Sequence, residues 1–304
     1  SDYLLYEEPM GTVSGVQTQI PVLLSEYQFQ SKEDVDAYLE LMKTTPDYFN
    51  SLIAFEQEKA QKGLFMASYT ADTVIEQCQA FIDMGDSNYL ISTFVDRIQK
   101  LTDLSESEKS DYIQKNAYML KTYVLPAYQQ LIKTVVELKD SGKNEEGLCY
   151  LPNGKEYYEL TVQASTGSAR TVPQLQKLTK NQMKDDLAAM KAVIGLTAEQ
   201  TKETAVMEST DPKEILNSLS LDIQKTFPKL PQTSVEVKYV PKAMEAHLSP
   251  AFYMIPALDD TEENVIYVNQ AQMGNKLTLY TTLAHEGYPG HLYQTVYYAS
   301  TKPD

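Results

Sequence analysis

The apolar positions of this chain keep a helical period from Ser31 to about Thr226 and change to an alternating one after Pro231. The longest periodic stretch opens on Ser105-Glu106-Ser107-Glu108, a capping-box pattern, and runs to about Asp140. Within it Ile113, Met119, Leu120, Val124, Tyr128, Leu131, Ile132 and Val135 recur at three- and four-residue steps, so one stripe faces a core. Pro126 is expected to kink this helix. Upstream, Ser31 caps a predicted helix over 32–43, Pro46 suits a first helical turn, and Gly63 ends the run that follows. Further helices are predicted over 72–84, 88–101, 155–164, 173–194, 198–208 and 212–226, with Gly195 closing one of them. Residues 1–30, which contain Gly11, Gly15 and Pro21, read as an irregular entry followed by a short apolar run at 20–24.

After Pro231 the alternation of Val235, Val237 and Tyr239, and the short β-prone runs 252–255 and 265–268, predict strands. A helix follows from near Leu277. The expected fold is mainly α, a multi-helix domain with a small antiparallel β-sheet near a C-terminal motif helix. No repeat, low-complexity tract or long linker interrupts the chain. One continuous domain over 1–304 is therefore expected, with 232–304 forming the sheet and motif helix within it.

At 304 residues and 42% hydrophobic content, the chain is long and apolar enough for a sizeable core. Its 42 acidic and 26 basic residues leave a net charge of −16, which opposes attraction to nucleic acid and to anionic membrane surfaces. No apolar run approaches the roughly 20 residues of a membrane span. Cys78 and Cys149 lack the close spacing of a structural zinc site. They read as two separate buried thiols, with pairing open if the protein is exported.

The chemistry concentrates in His285-Glu286-Gly287-Tyr288-Pro289-Gly290-His291, which holds two of the three histidines. A His-Glu pair followed by a second His is how thermolysin-like peptidases present two zinc-binding imidazoles and a general base from one helix. There the histidines are four apart and share a face. Here they are six apart, and six residues turn a regular helix about 600°, roughly 120° out of alignment. Pro289 and Gly290 stand where a kink could bring the two rings together. A solvated carboxylate is the plain alternative for Glu286.

At this motif the chain also resembles the bacterial proteins grouped as domain of unknown function 885. The likeness extends to Ile20-Pro21 through Tyr27, Gly63-Leu64-Phe65-Met66, Pro126-Ala127-Tyr128, Gly147-Leu148-Cys149, Gly154-Lys155-Glu156-Tyr157-Tyr158, Ser249-Pro250-Ala251-Phe252-Tyr253 and Thr281 to Gln294. The resemblance implies a gluzincin-like, mostly helical zinc metallopeptidase, with His285 and His291 as metal ligands and Glu286 as the base. It also implies export to the surface or exterior of a bacterium, and a further glutamate ligand within a Glu-Gly-Trp-Ala-like segment. This chain contains no Trp. The third protein ligand to Zn²⁺ is thus expected beyond Asp304, in a longer peptidase-like protein of which this is a piece.

Other candidates are weaker. His247 lies between the first two predicted strands and reads as an oxyanion stabiliser or a surface histidine; Tyr288, Tyr157 and Tyr158 could each donate a hydrogen bond. Arg170 could bind a substrate carboxylate or form a surface salt bridge, and Asp259, Asp260, Glu262 and Glu263 crowd a turn. Two functions follow: a metal-dependent hydrolase acting on a peptide substrate, or a helical binding or scaffold module in which the motif has no turnover.

Overall fold

A computed structural model describes residues 3–13, 15–143, 145–197, 209–231, 233–240, 242, 245, 248–256 and 263–301. It is mainly helical, and the chain divides into two compact units, Ser1–Lys184 and Asp185–Asp304. The predicted helix over 198–208, and His247, Asp259, Asp260 and Glu262, lie outside the described residues.

The first unit contains Val16–Glu26 (α1), Lys32–Lys43 (α2), Thr45–Gln61 (α3), Ser68–Asp83 (α4), Tyr89–Gln99 (α5), Glu106–Met119 (α6), Leu125–Leu138 (α7) and Gly154–Thr166 (α8). Local chemistry sets several of their ends. Ser31 accepts from the Asp34 N–H while the Asp34 carboxylate accepts from the Ser31 N–H, and Ser105 and Glu108 form the same capping box on α6. Gly63 adopts a left-handed φ of 71° just past α3.

The predicted long helix is α6 and α7 joined through a wider turn, Leu120–Val124, where the Leu125 N–H donates to the Leu120 carbonyl five residues back. Pro126 follows this wider turn directly, where the hydrogen-bond ladder is already irregular. The entry segment departs from expectation, because Val16–Glu26 is a helix with Pro21 inside it. Pro21 strands the carbonyl of Gln17, and the buried Tyr128 hydroxyl of α7 donates to it at 2.8 Å. Tyr128 meets Phe49 edge-to-face at a centroid distance of 4.9 Å and Phe81 at a tilt at 4.7 Å, and Tyr38 meets Phe94 at 5.6 Å. Each such ring removes apolar surface worth about 1.5–3 kcal/mol from water. Cys78 is buried and Cys149 exposed, and both are free thiols. Burial pushes the Cys78 thiol up to about 12, which leaves it inert at neutral pH.

Val172–Thr197 (α9) runs through Gly195 without stopping, because a glycine inside a helix weakens it without ending it. The second unit continues with Pro212–Ile223 (α10), strands Ser234–Tyr239 (β1), Ala251–Met254 (β2) and Glu263–Val268 (β3), and helices Lys276–Glu286 (α11) and His291–Thr301 (α12). Its three strands form the expected sheet, but with mixed rather than wholly antiparallel pairing. The order is β1-β3-β2: β3 pairs parallel with β1 and antiparallel with β2. The reason is burial. Ile266, Tyr267 and Val268 of β3 are 0%, 8% and 2% exposed, and the most buried strand takes the centre, whereas β1 has an exposed edge pattern. Ile215, Leu216 and Leu219 of α10, Leu283 of α11, and Leu292 and Val296 of α12 complete this core.

Candidate metal centre

The two motif histidines belong to different helices. α11 ends at Glu286 and α12 begins at His291, and the break between them includes a cis Tyr288–Pro289 bond. Two glycines make the turn possible. A Cβ on Gly287 would lie 2.4 Å from Leu216 Cδ2 and 2.9 Å from the Leu283 carbonyl oxygen. A Cβ on Gly290 would sit 1.6 Å from the His285 carbonyl oxygen, so only glycine lets the start of α12 close onto the end of α11. The Tyr293 N–H donates to the Gly287 carbonyl across the turn, and Leu292, 0% exposed, anchors α12 in the core.

The result is the convergence that the six-residue spacing forbids in a straight helix. His285 Nε2 and His291 Nε2 are 3.1 Å apart, with ring planes at 86°. A tetrahedral ion with metal–nitrogen bonds of about 2.0–2.1 Å holds two nitrogens about 3.3 Å apart, so the pair is spaced for one ion. One ligand atom from each of His285, Glu286 and His291 lies within 4.8 Å of the others. Among the described residues this is the one group of three or more His, Cys, Asp or Glu side chains so arranged, and it could hold a metal ion. Both imidazoles are exposed, and Glu286 less so.

Glu286 is also tied to the sheet. Its Oε2 accepts from the backbone N–H of Tyr253 at 3.0 Å. The Asn269 N–H donates to the Pro250 carbonyl, which turns residues 250, 252 and 254 toward β3 and leaves the backbone groups of Ala251 and Tyr253 facing outward. β2 is thus an edge strand whose outer side meets the glutamate. Reading the sequence located β-prone residues at 252–255 but missed this contact, because a backbone donor has no residue-type signature.

The remaining candidates do not join the group. Tyr288 packs in the core, where burial raises its phenol while a Ser220 hydrogen bond pulls the other way. Tyr253 donates its hydroxyl to Asn264 Oδ1 at 2.6 Å, and burial pushes it up to about 12. Tyr157 lies in the first unit against the rings of Tyr3 and Tyr6, and Tyr158 is exposed. The exposed Arg170 guanidinium donates to Ser168 in the turn before α9. Glu263 begins β3.

The chain belongs to the family described as bacterial protein of unknown function (DUF885), whose pattern matches residues 3–304. Its fold is similar to the crystal structure of a "putative lipoprotein" from Colwellia psychrerythraea, with a TM-score of 0.77 and 18% identity. The match covers 95% of this chain and 54% of that one, so the chain spans about half the length of this relative. No curated protein matches it. No helix among the described residues is long and apolar enough to cross a membrane.

Proposed function

We propose that His285 and His291 are zinc ligands of a metallopeptidase and that Glu286 is its general base. The observation that carries this reading is the 3.1 Å approach of the two Nε2 atoms across the α11–α12 break, with a carboxylate adjoining. When bound, zinc would acidify a water and polarise the scissile carbonyl. The chain's own groups supply the rest. Glu286 takes a proton from the attacking water and passes it to the leaving amine, and the Tyr253 N–H fixes the orientation of its carboxylate for both transfers. The outward backbone groups of Ala251 and the Tyr253 carbonyl can pair with an extended peptide, as strand addition to a free sheet edge does, while the Tyr253 N–H stays on Glu286. Two imidazoles leave a tetrahedral ion short of the usual three protein ligands, so residues 1–304 alone should hold zinc weakly. The third ligand is proposed to lie beyond Asp304. The name of the Colwellia relative, with the resemblance to exported proteins, favours a place in the bacterial cell envelope.

The test uses the longer protein that contains this chain, with zinc measured by elemental analysis and hydrolysis measured on a peptide mixture. Glu286→Gln should keep zinc and lose about 10²–10⁴-fold in rate, the usual contribution of a general base. His285→Ala and His291→Ala should lose the metal. Parental turnover in the Gln variant with zinc still bound would reject Glu286 as the base. Loss of zinc from that variant would make Glu286 a ligand instead. A parent that stays free of zinc after incubation would leave the scaffold reading standing.

A further inference from the structure

The first unit holds a buried charge cluster that the metal motif does not use. On α3, Glu56 and Lys59 are 1% and 0% exposed, with Lys59 Nζ 3.7 Å from Glu56 Oε2. The ammonium turns instead toward the chain ahead of α1, lying 2.9 Å from Glu8 Oε2 and donating to the Glu7 carbonyl at 2.7 Å. Neither oxygen of Glu56 receives a hydrogen bond. A buried carboxylate without donors is costly, so burial pushes Glu56 up to about 7; Lys59 opposes the rise and Glu8 adds to it. One cation serves two carboxylates, and a proton makes up the deficit.

Beside the cluster lies a cavity of about 360 Å³, with Glu7, Glu8 and Pro9 on one wall and Tyr48, Ser51, Leu52 and Phe55 on the other. Tyr48, Leu52, Phe55 and Lys59 follow one another at three- and four-residue steps, so Lys59 continues the face of α3 that lines the cavity. The volume is within the range of small-molecule sites. Two aromatic rings, an apolar floor and a carboxylate rim suit an organic cation. Glu8 is common to the cavity wall and to the Lys59 pair.

We propose that this cavity binds a small organic cation, an ammonium carried on an apolar or aromatic group, which pairs with Glu8 and hands Lys59 over to Glu56. The apolar part of the ligand covers Leu52 and Phe55. Lys59, relieved of Glu8, closes on Glu56, and Glu56 gives its proton to solvent. One positive charge enters and one leaves, so the net charge of the site is unchanged.

The experiment is calorimetric titration of the full chain with phenethylammonium, in two buffers of different ionisation enthalpy, at pH 6 and pH 8.5. Binding should release close to one proton per ligand at pH 6 and almost none at pH 8.5, and affinity should fall about tenfold for each pH unit below 7. Glu56→Gln, which mimics the protonated acid and offers Lys59 no carboxylate, should bind at least tenfold more weakly than the parent at pH 8.5, with no proton release and no dependence on pH in this range. Glu8→Gln, a change at a partly exposed side chain, should weaken binding at least tenfold. The uncharged analogue 2-phenylethanol should not bind. Absence of binding at pH 8.5, binding without proton release at pH 6, or parental affinity in Glu8→Gln would each overturn the proposal.

Discussion

Proline enters helical sequence at Pro21 and at Pro289 with opposite results. In α1 the helix continues, because the carbonyl stranded by Pro21, that of Gln17, receives the Tyr128 hydroxyl from a neighbouring helix. In the motif the stranded carbonyl belongs to His285, Gly290 folds back against it, and the helix divides into α11 and α12. The difference shows that proline removes a donor in either place, and the surroundings decide whether the carbonyl left behind is rescued or the chain turns away. Only the second outcome changes which side chains meet.

The largest effect should come from Gly290→Ala. Its Cβ would overlap the His285 carbonyl, and the atom it meets is backbone that cannot swing aside. A loss of roughly 3 kcal/mol or more is expected, measured by urea unfolding, with separation of the imidazoles and loss of metal from the longer protein. Gly274→Ala enters open space and is the control that should change neither. Equal behaviour of the two variants would break the account of the turn.

Glu56 is the opposite of the Gln17 backbone carbonyl: its two oxygens are buried acceptors that receive no hydrogen bond. Burial raises it from 4.5 to about 7, so the folded state binds the extra proton. Its contribution is fully present below about pH 4.5, is lost as pH rises through 7, and amounts to about 3 kcal/mol. Stability measured between pH 5 and 8 should therefore decline in the parent, and in Glu56→Gln this part of the decline should vanish. An unchanged pH profile in the variant would remove Glu56 from the account.

Tyr128→Phe should cost about 2 kcal/mol, because the Gln17 carbonyl would then be buried without a donor while the ring still packs against Phe49 and Phe81. If Pro21→Ala is introduced as well, the backbone donor returns and most of the loss should be recovered. Additive losses in the double variant would show that Tyr128 does not rescue the proline.

Much was legible along the chain because its causes are local. The capping boxes at Ser31 and Ser105, the left-handed Gly63 and the stripe along α6 and α7 depend on residues within a few positions of one another. The same holds for the motif: the scarcity of histidine, the neighbouring glutamate and the Pro-Gly break were enough to single out His285, Glu286 and His291. Helix α1 was hidden because its compensation comes from Tyr128, far along the chain. The sheet order was hidden for a similar reason. Neighbouring strands are expected to pair as hairpins, yet β3 lies between β1 and β2, with Ile266 and Val268 buried on one face and Tyr267 on the other.

Residue types and their short-range spacing determined which elements form, where most of them end, and which side chains could hold a metal ion. Only tertiary packing decided that the two imidazoles close to 3.1 Å, that a backbone N–H of β2 holds Glu286, and that Glu56 lies buried where an i, i+3 Glu-Lys pair reads as surface. The physical reason is that capping, turns and periodicity act within a few residues. Desolvation and the partnering of polar groups depend instead on whichever distant segment arrives to cover them.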